Sequence, residues 1–211
     1  MTRTATGRIP ADVAALADAL LCDLLPRLET RAAPFVLGVS GVQGSGKSTL
    51  ATALVARAVA RGIGTVALSL DDAYLSRDAR AVLAAEVHPL LATRGVPGTH
   101  DVALLHGTLD ALAGASPAAP VALPRFDKGR DTRFAPQHWP RVTVPPRLIV
   151  LEGWCLGVPP QAPEELIAPL NALERDADAD GRWRRHVDAQ LAGPYAALWA
   201  RIDRLVLLRA P

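Results

Sequence analysis

The chain has 211 residues, half of them hydrophobic, enough to bury a substantial core in one large domain. Its 23 basic and 21 acidic residues leave a net charge of only +2 with no basic stripe, which excludes the usual footprint of a nucleic-acid-binding surface. No stretch approaches the ~20 apolar residues of a membrane span, and the N-terminus, interrupted by Asp12 and Asp18, lacks the apolar core of a signal peptide.

Residues 1–33 read as a helical segment. "ADVAALADALLCDLLPRLE" carries apolar residues at helical spacing, and Pro26 is expected to bend or end it. "PFVLGVS" is a short apolar run stopping at glycine, a buried strand. "KSTLATALVARAVARG" predicts a helix closed by Gly62. "GTVALSL" predicts the next strand, ending at Asp71 and Asp72. "RDARAVLAAEV" is helical, and "HPLLATRGVPGTH", with two prolines and two glycines, is loop. "DVALLHGTLDALAG" predicts a helix with Asp101 near its start, and "PVALPRF" a short strand. Residues 125–146 are polar and rich in proline and arginine, a long irregular segment of the kind that carries function in compact domains. "RLIVLEGW" is a strand, "PEELIAPLNALERD" and "WRRHVDAQLAGPYAALWARI" are helical, and "DRLVLLRAP" is a last strand. The alternation predicts an α/β fold with a mostly parallel central sheet and helices on both faces. Cys22 and Cys155, far apart, suit neither a disulfide framework nor a zinc set; they fit reduced thiols in a cytoplasmic protein.

"GVQGSGKS" matches the phosphate-binding pattern G-x-x-x-x-G-K-[ST], with a strand before it and a helix after it. Gly41, Gly44 and Gly46 let the backbone turn tightly, so that the N–H groups of the loop from Gln43 and Ser45 to Thr49 face phosphate oxygens at a helix N-terminus. Lys47 is placed to reach the β- and γ-phosphates of ATP, and Ser48 to bind Mg²⁺. Glu152, ending the strand "LIVLEGW", is a second candidate on the metal side, although a carboxylate there also suits a helix cap. Asp71 and Asp72 end another strand. A kinase acting on an alcohol needs a carboxylate to accept the hydroxyl proton, worth about 10²–10⁴-fold. Neighbouring aspartates point in different directions, so one is expected at the acceptor and the other suits a helix cap before "AYLSRDAR".

Only two of the basic residues are lysines, Lys47 and Lys128. Lys128 sits in "RFDKGRDTRF" with Arg130 and Arg133, a loop suited to an anionic acceptor; the alternative is a solvated basic loop.

"GVSGVQGSGKSTL", "LSLDDAYL", "TRGVPGTHD", "LPRFDKG" and "LEGWCLG" together resemble the D-glycerate 3-kinase family, within the P-loop kinases that include uridine kinase, phosphoribulokinase and bacterial pantothenate kinase. The resemblance runs from about Phe35 onward and implies a three-layer P-loop NTPase fold. It implies transfer of the ATP γ-phosphate to D-glycerate, giving 3-phosphoglycerate. Asp71 then matches the base in preference to Asp72, and Lys47 and Glu152 serve the phosphates and the metal. Asp72, Tyr74, His100, Asp101, Lys128 and Arg133 are brought towards the acceptor, and residues 174–201 form lid helices. His100 also suits simple packing, and Asp101 a helix N-cap. Gly129 stands where the family has serine, and Ala73 where it has an aromatic residue. Related kinases continue past the strand at "LLRAP", so the resemblance implies that a C-terminal part of the family fold is missing. The other readings are a kinase of a nucleoside or pantothenate-like alcohol, and a nucleotide binder without catalysis. No guanine-reading motif supports a GTPase.

Overall fold

The computed structural model describes residues 9–209. In chain order its elements are α1 (Ala11–Thr30), β1 (Phe35–Gly41), α2 (Lys47–Ala60), β2 (Thr65–Ser69), α3 (Arg77–Glu86) and α4 (Val102–Ala113). Four two-residue strands follow: β3 (Val121–Ala122), β4 (Phe126–Asp127), β5 (Thr132–Arg133) and β6 (Arg141–Val142). β7 (Leu148–Gly153), α5 (Ala172–Ala177), α6 (Arg182–Gln190), α7 (Ala196–Trp199) and β8 (Arg204–Leu208) complete the order.

The central sheet runs β2-β7-β1-β8, and every pairing in it is parallel. β1 and β7 are buried at every residue, as strands covered on both faces must be. Their side chains alternate between two cores. Leu37, Val39, Leu148 and Val150 face the stripe of α1 (Leu21, Leu24, Leu28) and of α2 (Leu50, Leu54). Val36, Ile149 and Leu151 face Leu105, Leu109 and Leu112 of α4 and Leu198 of α7. Each fully buried leucine contributes about 1.5–3 kcal/mol of transfer free energy. At Gly38 a Cβ would stand 2.9 Å from Ile202 and Leu205, so β1 takes glycine where the turn into β8 presses against it. The result is the three-layer α/β arrangement expected.

Proline accounts for the differences from expectation. α1 runs through Pro26 to Thr30. The missing N–H falls in the last turns, where buried Leu24 and Leu28 hold the helix to the sheet. "PVALPRF" does not join the central sheet: Pro124 breaks it in two, Val121–Ala122 pairing with β6 and Phe126 pairing with Arg133 of β5. The helix expected over 163–176 is split at Pro169 into a 3₁₀ turn, Pro163–Leu166, and α5, which Asn171 caps by accepting from the Glu174 N–H. α6 passes into α7 through a π-turn at Leu191–Tyr195 that holds Pro194. The N-terminal segment is helical from Ala11. Residues 1–8 of it, and 210–211 of the last strand, lie outside the described residues. Both cysteines are free, and no helix among the described residues is long and apolar enough to cross a membrane.

Candidate active site

β1, β2 and β7 end level with one another: Glu152 pairs in register with Val39 on one side and Ser69 on the other. The loops leaving these strand ends surround a cleft of about 730 Å³, where open α/β sheets bind their ligands. Val42, Gln43, Gly44, Lys47 and Ser48 line it from the phosphate loop. Ser69, Asp71, Asp72, Tyr74 and Glu152 line it from the β2 and β7 ends. Arg94, Gly95, Lys128 and Trp154 close the remaining side.

The phosphate loop is shaped by glycine. Gly44 and Gly46 take φ of 82° and 90°, left-handed values that a side chain disfavours, and Gly46 immediately precedes α2. The first N–H groups of α2 have no helical acceptor and are available to an anion. Lys47 Nζ donates to the Val42 carbonyl at 2.8 Å, which lays its ammonium across the loop.

Glu152 is buried beside Ser69 and Ser48. Burial pushes its carboxyl up. The nearby Ser69 and Ser48 hydroxyls and the Lys47 charge oppose that push, while the Asp71 charge adds to it. A buried carboxylate facing a second carboxylate and a serine hydroxyl is a donor set that suits a hard divalent cation.

Asp71 Oδ2 accepts from Lys128 Nζ at 2.6 Å, across 57 residues of sequence. Asp72 turns the other way. Its Oδ1 accepts from the Phe126 N–H at 3.0 Å and its Oδ2 from Arg125 at 3.2 Å, so it ties β4 to the end of β2. Burial raises its carboxyl against those partners. The two aspartates point in different directions and both line the cleft; the helix cap expected of one of them is supplied instead by Ser76, which accepts from the Ala79 N–H at the start of α3.

Tyr74 stacks on His100 at 4.3 Å, and the two residues bridge through their backbones. Burial and the neighbouring Asp71 raise the Tyr74 hydroxyl. His100 Nδ1 lies 2.7 Å from Tyr195 Oη, while its Nε2 is buried without a partner. Burial depresses His100 to about 3, so its ring is neutral near pH 7. Asp101 caps α4 through the Leu104 N–H and pairs with Arg133 at 3.0 Å. His100, Asp101 and Arg133 therefore stand behind Tyr74 and the loop, outside the cleft lining. No residue of 174–201, expected as a lid, lines the cleft either; Leu191, Tyr195 and Leu198 of that segment are core residues.

Five lining residues escape a reading of the sequence: Val42 inside the phosphate loop, Gly95, and three with polar side chains. Ser69 directly precedes "LDD", Trp154 directly follows Glu152 and Gly153, and Arg94 opens "RGVPGTHD", so adjacency to the motifs was the available signal. Trp154 Nε1 donates to the Gly95 carbonyl at 3.0 Å, joining the β7 end to the Arg94 loop.

No family model matches the chain. It is 35% identical over 202 residues to "Uncharacterized kinase mug58" of Schizosaccharomyces pombe, covering 88% of this chain and 67% of that protein. It is 32% identical over 167 residues to the chloroplastic D-glycerate 3-kinase of Arabidopsis thaliana, covering 74% of this chain and 37% of that protein. Among solved structures, D-glycerate 3-kinase from Cryptococcus neoformans superposes with a TM-score of 0.72 at 26% identity, covering 94% of this chain and 73% of that one.

Proposed function

We propose a reaction for this chain from one premise: it belongs to the P-loop kinase family that includes D-glycerate 3-kinase. The reaction is transfer of the ATP γ-phosphoryl group to a hydroxyl of a small hydroxy acid, D-glycerate in the first instance. The observation that carries it is the Lys128–Asp71 pair in the same cleft as the phosphate loop. It sets a base and a cation side by side where an acceptor bearing both a hydroxyl and a carboxylate needs them.

In this reading the loop N–H groups and Lys47 hold the β- and γ-phosphates. Asp71 accepts the proton of the acceptor hydroxyl as its oxygen bonds to the γ-phosphorus, and the bond from that phosphorus to the bridging oxygen breaks to release ADP. Lys128 holds the acceptor carboxylate next to Asp71, so that binding also orients the hydroxyl. Ser48 and Glu152 would hold Mg²⁺, which when bound neutralises phosphate charge. Tyr74 and Asp72 keep Asp71 and the Lys128 hairpin in place.

The test is ADP release by the purified chain with Mg·ATP, with and without D-glycerate, using uridine and pantothenate as competing acceptors. Release that depends on D-glycerate supports the reading. Preference for uridine or pantothenate moves the chain to another acceptor class, and nucleotide binding without acceptor-dependent release makes it a non-catalytic binder.

A further inference from the structure

Three cations line the cleft: Lys47 on the phosphate loop, Lys128, and Arg94. Lys128 is already engaged by Asp71 at 2.6 Å. Arg133, the arginine expected at the acceptor, donates to Asp101 and lies outside the lining. Arg94 is different. Its Nη1 bonds Asp131, and its Nη2 makes only a long 3.4 Å contact to the Lys128 carbonyl. A guanidinium has five N–H donors, so several remain. Its plane also lies over the Phe126 ring, 5.6 Å from the centroid, which fixes its direction.

Asp131 does not cancel this charge. The same carboxylate also accepts from Arg80 Nη2 at 2.6 Å, so one negative group faces two guanidiniums and the cluster stays positive. Asp131 is the one non-glycine residue at positive φ among the described residues, 55°, a conformation aspartate tolerates better than most. Arg80 is 1% exposed and uses all its nitrogens. Nε donates to the Leu75 carbonyl at 3.2 Å, Nη1 to the Ala92 carbonyl at 2.7 Å, and Nη2 to Asp131. It thereby joins the segment after Asp71 and Tyr74, the segment before Arg94, and the hairpin of Lys128.

We infer that Arg94 is a specificity-determining residue whose guanidinium binds the carboxylate of the acceptor, and that Asp131, anchored by Arg80, is the residue that positions it. The inference rests on the hydroxy-acid reading above. Lys128 and Arg94 then hold the anionic end of the acceptor between them, and Asp71 meets the hydroxyl.

Steady-state kinetics of the wild type, R94A, R94K and D131N test this with D-glycerate and with glycerol, which has the hydroxyls and no carboxylate. R94A is expected to raise the D-glycerate KM about 10- to 100-fold, the loss of one hydrogen-bonded charge contact. That rise should exceed any rise for glycerol about tenfold or more, so the preference for the acid narrows. R94K restores part of it, having charge without the planar fork. D131N raises the D-glycerate KM by a smaller factor and moves kcat less. Should R94A melt below the assay temperature, R94K carries the test through a KM rise confined to D-glycerate. An unchanged D-glycerate KM, or an equal rise for both acceptors, overturns the inference and leaves the kinase reading standing. A wild type that phosphorylates uridine or pantothenate and not D-glycerate overturns the acceptor class and this inference with it.

Discussion

Lys128 Nζ stands 2.6 Å from Asp71 Oδ2, although 57 residues separate them in sequence. Asp71 lies in the 3₁₀ turn just after β2 and Lys128 in the turn of a two-stranded hairpin outside the central sheet; Asp72 ties that hairpin to the sheet edge, and Arg80 and Arg94 hold it through Asp131. In the proposed reaction, D71N removes the proton acceptor and keeps the shape. It should lower kcat by about 10²–10⁴-fold. Mg·ATP binding, measured by calorimetry, should remain close to wild type. Wild-type turnover in D71N would remove Asp71 as the base.

Glu152 gives a prediction about stability. Its folded-state pKa is raised by burial, so the folded chain holds this proton to higher pH than the unfolded chain does. The stability linked to that proton is fully present below the ordinary carboxylate range and is lost as pH rises through the raised value. E152Q keeps the shape and cannot ionise. Its melting temperature, without ligands, should exceed that of the wild type at neutral pH, with the gap closing in acid. Mg·ATP should stabilise the wild type more than E152Q. Equal melting curves at all pH values would contradict the buried-carboxylate account.

His100 has the opposite sign. Burial holds it at about 3 in the fold against an ordinary value of 6.5, so the unfolded chain binds the extra proton in between. The stability linked to the neutral ring is whole above pH 6.5 and is lost as pH falls towards 3. H100N should flatten that part of the stability profile whatever it does to stability at pH 7. Denaturant titrations at several pH values measure the slope. Identical slopes for H100N and wild type would contradict the assignment.

The helical region after β7 contains a buried ion pair. Arg184 donates to Asp178 at 3.0 Å, and both side chains are buried. D178A leaves the guanidinium with only the backbone carbonyls of Leu166, Ile167 and residue 178, and no counter-charge. It should cost about 3–5 kcal/mol, as stranded buried charges do. The melting temperature should fall by about 2–4 °C for each kcal/mol. Loss of under about 1 kcal/mol, the range of surface pairs, would show that the pair is solvated.

Much of the fold and half of the site were legible in the sequence. The four sheet strands stand out as short apolar runs. The phosphate loop, Glu152 and Asp71 each lie at the end of such a run, where local pattern and chemistry agree. The misread limits of helices and strands have one cause: Pro26, Pro124 and Pro169 act according to what packs around them, which spacing alone does not report. The acceptor side was less legible because it is assembled from distant residues. Arg94 meets Asp131 across 37 residues, and Arg80 meets it across 51. Asp101 and Arg133, expected at the acceptor, satisfy each other instead.

The role given to Lys128 is the part of the account most directly open to measurement. The KM values of K128A for D-glycerate and for ATP, set beside those of the wild type, decide it. The account predicts a D-glycerate KM raised about 10- to 100-fold with the ATP KM nearly in place. A D-glycerate KM that does not move, or that rises only in step with the ATP KM, would contradict it.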